Sequence, residues 1–170
     1  MKKNLLIFLL IFFTSNTYAD NKVLYLDINL ILNTSTAGKF LNKELNDIQK
    51  KNVEELKKIE DSIKSEDDKL AKQKNIIKEE EYKTKVVELR SKYKSFQELI
   101  KKKNIDLNKA RENGANQILS AINELLTDYS SKNNISLIVD KKNIIIGKTE
   151  LDVTNIILDL LNKKIKKVDL

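Results

Sequence analysis

Between Tyr82 and Ala110 a seam residue recurs at alternating steps of four and three: Tyr82, Val86, Leu89, Tyr93, Phe96, Ile100, Lys103, Leu107 and Ala110, apolar everywhere except Lys103. A sustained 3.5-residue period places these residues on one stripe of a helix. It requires a second helix to cover the stripe, with left-handed supercoiling. The segment 39–131 allows such a helix, because the chain has no Pro and the segment's only Gly is Gly114. The partner lies upstream, where Leu56, Ile59, Ile63, Glu66, Leu70, Gln73 and Ile77 keep the same alternation. Glu66, Gln73 and Lys103 are polar entries that weaken the seam and set its register.

A turn near residues 75–78 lets one half cover the other. Lys72 and Lys74 suit the negative end of a finishing helix, and Glu79, Glu80 and Glu81 suit the positive start of the next. The expectation is an antiparallel hairpin with arms of about 60 Å rather than one continuous helix. The seam slips by one residue between Ile48 and Leu56 and again between Ala110 and Ile118. Folding near residue 79 brings the slips roughly opposite each other, with Gly114 in the second. This predicts either a flexible zone at that height or a crowded helix crossing.

The segments outside the arm read differently. KVLYLDI at 22–28 has strand character, as do ISLIVD from 135 and NIIIG to 147, with a Lys-Lys turn between the last two. A final helix starts with Asp152 as its cap and runs to about Lys164, with Val153, Ile156, Ile157, Leu160 and Leu161 on one face. The fold class is therefore α+β and mostly helical. A coiled-coil hairpin arm (37–131) stands on a small β-stranded body (20–36 and 132–170). Three strands leave open edges, and so small a core needs further copies of the chain.

The first 19 residues read as a signal peptide: Lys2 and Lys3, an apolar run at 5–13, then Thr17 and Ala19 as small residues before a cut between Ala19 and Asp20. The chain is then exported, and its formal net charge of +7 falls by two with the loss of Lys2 and Lys3. It has no Cys and no His, which removes disulfides, Cys/His zinc sites, thiol nucleophiles and imidazole acid–base chemistry. Its three glycines stand far apart, so no phosphate loop forms. Neighbouring acids such as Asp67 and Asp68 lie on a polar helix with nothing to raise a carboxyl pKa. The expectation is no enzyme, no cofactor and no metal.

Residues 83–111 carry ten basic residues against three acids, whereas 39–64 is close to balance with seven Lys against six acids. Such a run is either a solvated face or an electrostatic surface for an anionic partner. Nucleic acid is disfavoured by export and by the absence of Trp for base stacking. Anionic lipid or lipopolysaccharide is compatible with exposed Lys.

The ends of the chain carry a family likeness. KVLYLDINLIL (22–32) resembles the first strand and turn of the Skp/OmpH family of periplasmic chaperones. NNISLIVDKKNIIIGKTELDVTNIILDLLNK (133–163) resembles that family's closing segment, through Asp140 and Asp152-Val153-Thr154. The order of signal peptide, strand, helical hairpin, strands and terminal helix also matches. The resemblance implies a periplasmic, jellyfish-shaped trimer whose arms enclose a cavity. There, without ATP, it holds unfolded outer-membrane β-barrel proteins and prevents their aggregation. Lys83, Lys85, Arg90, Lys92, Lys94, Lys101 and Lys102 would then be the client-facing charges. Two other functions fit the same periodicity: a structural coiled-coil spacer or adaptor of the envelope, and a lipopolysaccharide-binding envelope protein.

Overall fold

A computed structural model describes residues 22–170. The expected signal peptide and its cleavage site lie outside the described residues. The elements in order are β1 (Lys22–Leu26), α1 (Ile28–Thr34), α2 (Thr36–Gln73), α3 (Glu79–Asn133), β2 (Ile135–Asp140) and α4 (Thr154–Lys164), with short 3-10 turns at Lys141–Asn143 and Thr149–Leu151. The strand expected over 22–28 stops at Leu26 because Asp27 turns the chain. Its Oδ1 accepts the backbone N–H of Leu30 at 2.8 Å and caps α1.

This short helix was not foreseen, and two contacts fix it. Buried Ser35 closes α1, its N–H donating to the Ile31 carbonyl at 3.0 Å, and opens α2 by accepting the Gly38 N–H at 3.1 Å. Gly38 permits the sharp junction, since a Cβ there would lie 1.8 Å from the Leu32 carbonyl oxygen. Asn162 of α4 accepts the Thr36 N–H at 2.7 Å, so the last helix also secures the start of the arm.

α2 and α3 form the antiparallel hairpin, with the chain reversing over residues 74–78 between Gln73 and Glu79. At 1.5 Å per residue, α2 is about 57 Å long and α3 about 82 Å. The excess length of α3 carries it into the base, where it ends at Asn134 in the left-handed region (φ 52°), a conformation that Asn tolerates well. Gly114 lies inside a continuous helix and is buried. A Cβ there would meet a Leu41 methyl at 2.5 Å, so this glycine marks the crowded crossing.

β1 and β2 pair in parallel, Val23 opposite Leu137 and Leu26 opposite Asp140, with an irregularity next to Lys22. The other edge of β1 is taken by the segment entering α4: Tyr25 bridges Asp152, and the Val153 N–H donates to the Tyr25 carbonyl at 2.9 Å. The third strand expected at NIIIG is therefore not formed. Both edges of β1 are occupied, and the chain between them crosses Tyr25, whose hydroxyl donates to the Lys148 carbonyl at 3.2 Å. Ile145 and Ile146 are left 99% and 91% exposed.

The base core joins Leu24 and Leu26 of β1, Ile31 of α1, Leu41 and Leu45 of α2, Ile118 and Ile122 of α3, and Ile157 and Leu161 of α4. A separate cluster of Ile63, Leu70 and Leu89, flanked by Ile59, Ile77, Tyr82, Val86 and Phe96, holds the far half of the arm. α4 begins at Thr154 rather than at Asp152. Asp152 still serves its first turn by accepting the Thr154 N–H at 2.9 Å.

Candidate functional site

The arm's surface is set by its seam. Leu89 and Leu107 of α3 are buried, as are Ile63 and Leu70 of α2, and the other seam residues are half-buried with one exception. Tyr93 remains 38% exposed. Two of the three polar seam positions, Glu66 and Lys103, are bonded across the hairpin. Lys103 donates to Glu55 at 2.7 Å and to Asn52 at 3.1 Å, and Glu66 receives Lys92. These cross-helix bonds fix which residues of the two helices face each other, the register role expected of polar seam positions.

With the seam fixed, helical spacing places the seven candidate cations. Lys83, Arg90, Lys94 and Lys101 follow steps of seven, four and seven, and so form one stripe along one flank of α3. Lys85 and Lys92 lie on the opposite flank, and Lys102 lies further round. The seven are thus not one surface of a single arm.

Their pairing differs as well. Lys83 holds Glu79 at 2.8 Å and Glu80 at 3.6 Å, Lys85 holds Glu81 at 2.8 Å, and Lys92 holds Glu66. Arg90, Lys94, Lys101 and Lys102 are exposed and form no ion pair among the described residues. Acids of the first turn of α3 therefore neutralise Lys83 and Lys85, Glu66 of α2 neutralises Lys92, and positive charge remains uncompensated at Arg90, Lys94, Lys101 and Lys102.

Two shallow clefts of about 260 Å³ open on either side of the hairpin. One is lined by Glu66, Lys69, Lys85, Glu88 and Lys92 around Leu70 and Leu89. The other is lined by Asp67, Ala71, Tyr82, Val86, Arg90 and Tyr93 around the same two leucines. The second offers two tyrosine rings beside a guanidinium and a carboxylate, a mixed surface that accepts apolar, aromatic and charged side chains in turn. Val87, 65% exposed, stands seven and fourteen residues before Lys94 and Lys101 and so belongs to the same flank. The sequence reading passed over Val87 because it lies off the seam. Its seven-residue spacing from two lysines was the available signal.

The described residues thus form a long two-helix arm on a small α/β base, with mixed cationic and apolar flanks. The chain belongs to the OmpH-like family: the profile "Outer membrane protein (OmpH-like)" matches residues 22–161, from β1 into α4. The resemblance of the two end segments is thereby confirmed. Among solved structures, a candidate "outer membrane chaperone (OmpH-like)" from Caulobacter crescentus CB15 is similar in fold, with a TM-score of 0.81 at 16% identity over 87% of this chain and 88% of that one. No curated protein sequence matches the chain.

Proposed function

We propose that this protein is an ATP-independent periplasmic holdase, which binds unfolded outer-membrane β-barrel proteins between the arms of a trimer. The observation that carries the reading is the unpaired stripe of Arg90, Lys94 and Lys101 with Val87 and Tyr93 exposed beside it. Membership of the OmpH-like family supports the same direction. An unfolded chain presents no fixed shape. A surface for it needs many weak contacts of mixed character, with diffuse attraction rather than a pocket. Binding the unfolded client lowers its free concentration by mass action and so slows its aggregation without any nucleotide.

Assembly rests on the base. β2 has an open outer edge with Leu137 54% exposed, and Ile145 and Ile146 project nearby in sequence. Other copies that cover these groups would hold several arms around one space. The seven cations would then line or rim that space according to which flank of each arm faces inward.

The test is to dilute a urea-unfolded β-barrel outer-membrane protein into buffer with residues 20–170, without nucleotide, and to record light scattering at low and moderate salt. Suppression at roughly one assembled holdase per client, weakening as salt screens the arm, is expected. Unchanged scattering at every ratio would overturn the reading in favour of a structural spacer or adaptor. Replacing Arg90, Lys94, Lys101 and Lys102 with Gln should weaken capture most at low salt, and unchanged affinity would remove the electrostatic part.

A second reading has its own observation. At the arm tip Ile76 is 80% exposed, and Lys72, Lys74 and Lys78, within four residues of it in sequence, form no ion pair among the described residues. This chemistry suits an anionic lipid or lipopolysaccharide surface. Saturable lipid binding without suppression of client scattering would place that task first.

A further inference from the structure

The segment that follows α4 packs back onto the root of the arm. α4 ends when the Ile165 N–H donates to the Leu161 carbonyl at 2.9 Å, and residues 165–170 then continue without regular structure back over the root of the arm. Val168 is only 7% exposed and joins the core that holds Leu41, Leu107 and Ile118. Gln117 of α3 grips the next residue from both sides: its Nε2 donates to the Asp169 carbonyl at 2.7 Å, and its Oε1 accepts the Asp169 N–H at 3.0 Å. The ammonium of Lys167 stands 5.6 Å over the Phe40 ring of α2. Leu170 reaches the Gly114 crossing, where it helps line a cleft of about 320 Å³ with Ile48, Leu107 and Ala110.

The segment therefore touches both arm helices, at Phe40 on α2 and at Gly114 and Gln117 on α3, where the α3 seam slips register between residues 110 and 118. Regular knob-into-hole packing is interrupted at that height. We propose that residues 165–170 are a releasable strap that clamps α2 to α3 at the root of the arm, and that its docking sets how freely the arm moves on the base. The attachment is small: buried Val168, half-buried Ile165, two neutral hydrogen bonds and a cation–ring contact, with Leu170 still 44% exposed. Segments held by so few contacts open locally at a small fraction of the global unfolding free energy. Docked, the strap carries the base helix α4 onto both arm helices. Undocked, it leaves α2 and α3 joined at that level by the core contacts of Leu41 and Leu45 with Leu107 and Ile118 and by the Gly114 crossing.

Hydrogen exchange of the full chain, read peptide by peptide, tests the clamp independently of any client. In a Gln117→Ala, Val168→Ser variant, peptides at 38–48 and 107–118 are expected to exchange about tenfold faster, as loss of two hydrogen bonds and a buried contact implies. Peptides at 59–70 and 86–96 are expected to keep their native rates. Gln117→Ala alone, an exposed change to the best helix former, shows the same effect in smaller degree and guards against a variant that fails to fold. Native rates at the root in both substituted variants would overturn the proposal. So would an equal acceleration along the whole arm, which would show general destabilisation and no clamp.

Discussion

Asp152 holds three donors. Its Oδ1 accepts the Thr154 N–H at 2.9 Å and the Thr154 hydroxyl, and its Oδ2 accepts Lys141 at 3.1 Å, while the Thr154 oxygen accepts the Asp27 N–H at 2.8 Å. One carboxylate thus ties the start of α4 to the end of β1 and to the turn after β2. Burial pushes its pKa up, but the bonds from Thr154 and the charge of Lys141 outweigh this and hold the carboxyl below its ordinary range. Lys141 is shifted upward in turn, chiefly by its hydrogen bond to Asp152. A carboxyl whose folded-state pKa is lowered contributes stability above its unfolded value of about 3.9, and that contribution is lost as pH falls through the folded value. Asp152→Asn keeps an acceptor for the Thr154 N–H but removes the charge. The variant is expected to be less stable by roughly 1 kcal/mol near neutrality, a gap that closes in acid. Urea unfolding from about pH 7 down to about pH 3 measures it. A gap of constant size across that range would show that the charge plays no part.

At the scale of elements, the hairpin is a base core and a separate far cluster joined by a thinly packed middle. Leu89 lies at the centre of the far cluster with Ile63 and Leu70. Leu89→Ala is expected to cost about 2–4 kcal/mol there, because a two-helix layer collapses poorly around a cavity. The cost should be local, with faster hydrogen exchange at 59–70 and 86–96 and native rates in β1 and β2. Equal acceleration in the strands would mean that arm and base unfold as one unit. The hairpin was legible in the sequence because a heptad seam specifies its own partner: Ile63 and Leu70 lie opposite Leu89 as the alternation required. β1 and β2 were legible from their β-branched runs. NIIIG was misread, since strand propensity says nothing about whether an edge is free, and both edges of β1 are taken. α1 was missed because it is only seven residues long and its strand-like Ile and Leu run masks the local signal, the Asp27 cap, while its end depends on the close approach of Gly38 to Leu32. At the candidate site, charge composition picked out the cations, but only the seam's absolute orientation divides Arg90, Lys94 and Lys101 from Lys85 and Lys92. Tyr93 follows the seam in sequence yet stays partly outside it.

At the scale of the whole molecule, the described residues leave an apolar imbalance in the base. A two-stranded parallel sheet with one open edge is an unusual end state, because parallel strands are normally covered on both sides. Beside it in sequence, two consecutive isoleucines are almost fully exposed, while every buried side-chain polar atom among the described residues is satisfied. The unmet demand of the base is apolar. Burying two isoleucines that are exposed in one chain stabilises an interface by about 1.5–3 kcal/mol each, and a closed ring of copies repeats that gain at every contact. In an Ile145→Asp, Ile146→Asp variant the same contacts would have to desolvate two carboxylates, whereas the isolated chain would lose almost no packing. Sedimentation is expected to find the native protein as a trimer and the variant as a monomer of unchanged helix content. Scattering assays should then find that the monomer no longer protects an unfolded β-barrel client, although all its arm cations are present, because one arm presents its flank to solvent and encloses nothing. A variant that sediments like the native protein would move the interface away from these isoleucines. A monomer that protects its client fully would show that the single arm surface, not the space between arms, does the holding.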